Sequence, residues 1–259
     1  MPLNMKLLAL VVAFFFAGTI AQAQENSTLP EGKIRYVVTH NWTKQLESLD
    51  YISKQRKERN AYMWGGSRSE WKNYTTLFIT PSESKYEVSE EKVEDEEMGY
   101  SGRKEIYTIR RNFASGTIRD QIDVLGQTYV VEDSIRPQCW KIMNDLKEVT
   151  GHLCMNAFRE DTIKEQRITV WFALDIPNSA GPERLFGLPG LILEVDVNEG
   201  AVTLIADKIE LRKLTTEMNA PKKIKGKKIT ETGYQSVIQD HIVEKRKNEE
   251  PWFWGLRYL

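Results

Sequence analysis

The clearest alternation of apolar and polar positions falls late in the chain. In 168–176 (ITVWFALDI), Ile168, Val170, Phe172, Leu174 and Ile176 share one face; in 191–197 (LILEVDV), Leu191, Leu193, Val195 and Val197 do so, with Glu194 and Asp196 opposite. A period of two belongs to a strand with one face buried. Similar runs, separated by turn residues, recur at 33–39, 75–80, 85–89, 105–111, 116–123, 127–132, 139–143, 149–157 and 201–211. Asn198-Glu199-Gly200 reads as a three-residue hairpin loop with Gly200 at the positive-φ position. Twice the period becomes helical. Trp42, Leu46, Leu49 and Ile52 recur at spacings of four and three, and the charged stretch 54–59 extends that helix to a stop at Gly65-Gly66. Thr230 caps a second helix whose stripe is Tyr234, Val237, Ile238, His241 and Ile242. Strands joined by hairpins, without βαβ units, predict a mainly β fold: a curved antiparallel meander, an open or half barrel, with an N-terminal helix and a C-terminal helix packed on it.

The ends add an address. Lys6 precedes the uncharged stretch 7–21, and Ala21-Gln22-Ala23 supplies the small residues of a cleavage site, so residues 1–23 read as a signal peptide. The expected location is the periplasm, or a secreted or outer-membrane-associated state. The stretch falls short of the roughly 20 apolar residues of a spanning helix, and no later segment is apolar enough to span, so no transmembrane segment is expected in the mature chain. Residues 24–220 read as one β-rich domain, and 221–259 as a linker, helix and aromatic tail packed on it. With a net charge of −1 neither sign dominates, which argues against nucleic acid as a partner. The basic tract from Lys222 to Lys228 reads as a solvated linker and the acidic run 90–97 as a loop.

Candidate chemistry is sparse. Of the three histidines, His40, His152 and His241, none sits in a zinc motif, and no Gly-x-Ser-x-Gly elbow occurs. No catalytic residue, metal or cofactor is assigned. His241 lies on an apolar helix stripe and reads as a packed histidine. Between Cys139 and Cys154, two β-like runs flank the polar segment 144–148. A turn centred between Leu146 and Lys147 would set the two cysteines opposite each other, where a disulfide is geometrically possible. Two free thiols, or a metal site with His152, are the alternatives. Trp64 and Trp71, and Trp252, Phe253 and Trp254 in the tail, either pack inside or offer a binding surface.

The segment from Asp175 reaches a literal GLPGLI at Gly187, Leu188, Pro189, Gly190, Leu191 and Ile192. With Trp171-Phe172, Ile176-Pro177, Gly181-Pro182 and the strand 151–157 containing Cys154, it resembles the GLPGLI family of exported Bacteroidetes proteins. The resemblance implies an envelope location and an association with outer-membrane receptor systems, but no chemistry. Asp133-Ser134-Ile135 and Asp161-Thr162-Ile163 resemble the O-glycosylation acceptors of Bacteroidetes envelopes, with Ser134 and Thr162 as the acceptors. Physically, Pro189 and Gly190 suit positions i+1 and i+2 of a type II turn, launching a strand while Leu188, Leu191 and Leu193 enter the core. The order of elements is also similar to the periplasmic lipoprotein-sorting carriers, half-open barrels with an apolar concave face. The expected function is therefore a non-enzymatic envelope protein binding a hydrophobic ligand, peptide or lipoprotein. An accessory partner of an outer-membrane receptor complex is the alternative, and a hydrolase the third.

Overall fold

The computed structural model describes residues 30–65, 69–91, 107–220 and 224–259. The leader at 1–23, most of the acidic run 90–97 and the basic residues Lys222 and Lys223 lie outside them. In chain order the elements are β1 Gly32–Asn41, α1 Trp42–Glu47, α2 Lys54–Trp64, β2 Glu70–Ile79, β3 Glu83–Val88, β4 Tyr107–Asn112, β5 Thr117–Val124 and β6 Gln127–Ser134. There follow β7 Lys141–Val149, β8 His152–Asp161, β9 Gln166–Ala173, β10 Leu191–Val197, β11 Val202–Leu211, β12 Lys227–Ile229 and α3 Glu231–Lys247. Among the described residues no helix is long and apolar enough to cross a membrane.

Among the described residues all twelve strands belong to one mixed sheet, ordered β12-β6-β5-β4-β3-β2-β1-β11-β10-β9-β8-β7. Two antiparallel meanders, β1 to β6 and β7 to β11, meet where β1 pairs with β11; only β12 joins its neighbour β6 in parallel. This order bends the sheet. Strands β6 and β7 stand ten places apart, yet only residues 135–140 connect them. Laid flat, ten inter-strand steps would separate them by ~48 Å, whereas that connection reaches at most ~25 Å. The right-handed twist of about 20° per neighbour supplies the rotation such a return needs. No ladder joins β6 to β7, so the curled sheet stays open.

The inside of the curl is filled. Ile34, Tyr36, Leu77, Ile122, Ile168 and Phe172 are at most 2% exposed, and the core continues into Leu46, Leu49, Ile52, Tyr234, Ile238 and Ile242 on the helical side. The C-terminal tail packs here as an irregular plug, with Trp252, Leu256 and Tyr258 buried. His241 is buried with them, its Nε2 3.0 Å from the Trp252 carbonyl.

Five local expectations are corrected. The single helix over 42–59 is two, because Ser53 leaves the helical path and caps α2 by accepting from the Arg56 amide. The hairpin turn after β7 falls at Thr150-Gly151, with φ of 50° and 82°, not within 144–148. Paired positive φ values want glycine second, and only this dipeptide offers it; residues 144–148 are polar because β7 is an exposed edge strand. In that register Cys154 faces Lys147 while Cys139 precedes β7, so both cysteines are free thiols and the disulfide does not form. Gly190 is not the left-handed residue of the hexapeptide; Gly187 is, at φ 94°. Gly190 is glycine because a Cβ there would stand 1.9 Å from the Ala173 carbonyl oxygen at the end of β9. The short parallel β12, finally, lies in what reads as linker.

This separates the two glycines energetically. Gly190→Ala drives a methyl into backbone that cannot yield and is expected to cost ~3 kcal/mol. Gly187→Ala has open space and only a strained φ, costing ~1 kcal/mol. Urea unfolding of both variants measures the order; equal losses would refute the close-approach reading.

Candidate functional site

The signal for a functional site is charge in the wrong phase. On β5 the inward positions are Ile118, Asp120, Ile122 and Val124, and on β4 they are Tyr107, Ile109 and Arg111, so an aspartate and an arginine occupy slots of the apolar face. Asp120 is fully buried. Arg111 pairs with it through both terminal nitrogens, and Arg184 Nε donates to its Oδ2 at 2.9 Å. Arg184 also pairs with Glu231 in the first turn of α3. Burial alone would raise the Asp120 pKa, but Arg111 and Arg184 outweigh it and hold the carboxyl below its usual value. Burial likewise opposes the charge on Arg184, and Asp120 and Glu231 more than restore it.

Beside this network lies a cavity of about 370 Å³. Its walls are the ends of β4, β5 and β8, the crossing segment 135–140, residues 183–186, the start of α3 and the end of the tail. Two of these pieces are stapled together. Gln138 donates to the Arg184 carbonyl at 2.8 Å and accepts from the Phe186 amide at 3.1 Å, and Trp140 Nε1 donates to the Phe186 carbonyl at 2.8 Å. The GLPGLI residues follow directly. Leu188, Leu191 and Ile192 are buried, so the hexapeptide does not line the cavity; it anchors the loop that does.

The cavity wall carries six cations: Arg111, Arg136, Arg159, Lys164, Arg184 and Arg257. Arg257 pairs with Glu183 and stacks over the Tyr107 ring at 3.3 Å. Lys164 donates from Nζ to the carbonyls of Arg257 and Tyr258 at 3.0 and 3.1 Å. Burial lowers its pKa to about 8, with Asp161 opposing. Arg159 makes no ion pair or hydrogen bond among the described residues; its guanidinium lies 5.9 Å from the Trp140 ring, and burial lowers its pKa, with Asp161 opposing.

The residues singled out in the sequence scatter. Trp252 is 2% exposed and stacks on Tyr258 at 5.2 Å, Phe253 is half-buried, and Trp254 is 52% exposed. Tail tryptophans therefore face opposite ways. Trp71 belongs to a half-buried cluster with His40 at 4.4 Å and Trp42 at 6.5 Å; burial drives the His40 pKa down to about 3, so it stays neutral. The Trp64 side chain lies outside the description. Ser134 and Thr162 are exposed, Ser134 at the cavity wall, where Cys139 also lies. Burial pushes the Cys154 thiol up to about 11, and His152 Nδ1 lies 2.8 Å from Asp175. Among the described residues no group of three or more His, Cys, Asp or Glu could hold a metal ion.

Residues 142–194 match a family described as a protein of unknown function (Porph_ging), consistent with a family of the Bacteroidetes type. No curated protein matches the chain. Among solved structures, PNGF-II in the P21 space group aligns with a TM-score of 0.53 at 12% identity, over 80% of this chain and 32% of that one. Its C2 form aligns with a TM-score of 0.52 at 13% identity over the same shares. The chain thus spans about a third of PNGF-II, and at this identity the likeness is one of fold. An uncharacterized conserved protein from Thermus thermophilus aligns at 7% identity and a TM-score of 0.36, over 80% of this chain and 93% of that one.

Two tests follow from the charges. Asp120→Asn leaves two arginines buried against a neutral amide and is expected to lose ~3–5 kcal/mol in urea unfolding. The folded carboxyl holds its proton less readily than the unfolded one. Its stabilisation is therefore full above the unfolded value of about 3.9 and fades as pH falls through the folded value. Lys164 behaves in reverse: unfolded it keeps its proton to about 10.5, folded only to about 8, so its contribution to stability rises with pH across that window. Carbon-13 titration of labelled lysine Cε should show one resonance moving near pH 8 that is missing in Lys164→Met; lysines all titrating near 10.5 would contradict the burial argument.

Proposed function

We propose that this chain is a GLPGLI-family protein, exported to the envelope after loss of residues 1–23, that binds a small molecule rather than transforming one. The family reading is supported by the match over 142–194, which contains both the strand around Cys154 and the hexapeptide Gly187 to Ile192. The binding reading rests on one observation. A cavity of about 370 Å³, within the usual range of ligand sites, sits at the open end of the curled sheet, where no ladder joins the sheet, residues 183–186 and the start of α3. The concave face itself is packed with side chains and covered by the tail, so a ligand belongs in this mouth rather than along the sheet.

A second reading, docking on an envelope partner, is favoured by the exposed Trp42, Tyr62, Met63 and Trp254 around α1, α2 and the tail. Native mass spectrometry of the protein purified from the periplasm separates the two. Binding predicts a co-purifying small molecule, lost in Gln235→Trp, which fills the mouth from the exposed side of α3 without touching the core. A protein that is consistently empty, with Gln235→Trp indistinguishable from it, would leave the docking reading.

A further inference from the structure

We infer that the molecule held in this cavity is a small amphiphile with an anionic head, a carboxylate or phosphate monoester, whose charge sits against Arg159 and Lys164. The inference rests on the binding reading above and concerns what the cavity selects.

The argument is the pairing of charges around the wall. Arg111 and Arg184 are matched by Asp120 and Glu231, Arg257 by Glu183, and Arg136 stands 3.9 Å from Asp133. Of the four acids of the wall, Glu160, Glu183 and Glu231 are ion-paired, and Asp161 is held by backbone amides. Glu160 lies 3.4 Å from Arg167, and Asp161 accepts from the amides of Ile163 and Lys164 at 2.9 and 3.0 Å. Glu183 also accepts from the Tyr86 hydroxyl at 3.2 Å, and Glu231 from Gln235 at 2.8 Å. What remains, among the described residues, is two cations that form no ion pair, Arg159 against the Trp140 ring and Lys164 on two backbone carbonyls, with a single unpaired carboxylate of the wall, Asp161, acting on both. One carboxylate does not balance two partly buried cations, and an entering anion makes up the difference. An entering cation would meet two unpaired cations and one carboxylate, Asp161, that already accepts from two amides. Apart from Ser134, Gln138 and Gln235 the remaining wall is mainly apolar, with Ile118, Val124, Ile168 and Leu256, so the occupant has an apolar body beside its charge.

Calorimetric titration of the full-length chain, stripped of any co-purified molecule, tests this with three probes: octanoate, 1-octanol and inorganic phosphate. Octanoate is expected to bind at least about tenfold more tightly than octanol, as a charge-assisted contact warrants. Arg159→Met should remove that advantage without changing octanol binding, and Arg159→Lys should restore most of it. A melting curve confirms that each variant folds; should Arg159→Met fail to fold, loss of the octanoate advantage at high salt with octanol unchanged serves instead. Octanol binding as tightly as octanoate would overturn the anionic head while leaving a binding protein. Phosphate binding as tightly as octanoate would overturn the apolar body. Failure of octanoate to bind a protein that carries a molecule in native mass spectrometry would overturn the inference alone, whereas a protein always empty removes the binding reading beneath it.

Discussion

Six residues, 135–140, link strands that stand ten places apart in a single sheet, and that shortness governs the rest of the molecule. A connection that cannot cross a flat sheet forces the sheet to roll until its two ends approach. Rolling creates an inside, which the apolar phase of each strand fills, and a gap, which hydrogen-bonded ladders do not close. The gap is where α3, the tail and residues 183–186 collect. The crossing segment is itself a working part, since Gln138 and Trp140 fix the backbone of Arg184 and Phe186.

Much of this was legible in the sequence, for a physical reason. A strand buried on one face writes its burial as alternation, so β9, β10 and β11 stand out, and Thr230 marks the start of α3 because capping needs a side-chain oxygen. Legibility fails where burial does. Edge strand β7 hides nothing with most of its residues, and its polar run passes for a turn. Three residues of β12 are too few to show a period. Gly190 looks like a turn glycine, and only the approach of Ala173 reveals that space, not φ, selects it.

The candidate site was half legible. Asp120 and Arg111 each break the apolar phase of their strand, a signal present in the sequence but belonging to no catalytic motif. Arg184 and Lys164 sit in irregular segments where no periodicity exists to be broken, so only the fold brings them to the same cavity. The tryptophans misled for the opposite reason. Aromatic density reports burial energy without saying which way each ring points, and Trp252 and Trp254, two positions apart, point inward and outward.

The buried charges are better understood as joinery than as stability. An ion pair taken out of water gains little over well-packed apolar groups, so Arg111, Asp120, Arg184 and Glu231 would add little if cohesion were all they provided. What apolar packing lacks is direction. Across the gap, the sheet, the 183–186 segment and α3 have no common ladder to fix their register, and Asp120 can accept two arginines only when all three are in place. A mouth held by such contacts keeps its shape while staying unfilled. An apolar closure of the same gap would tend to collapse upon itself, and the cavity would be lost.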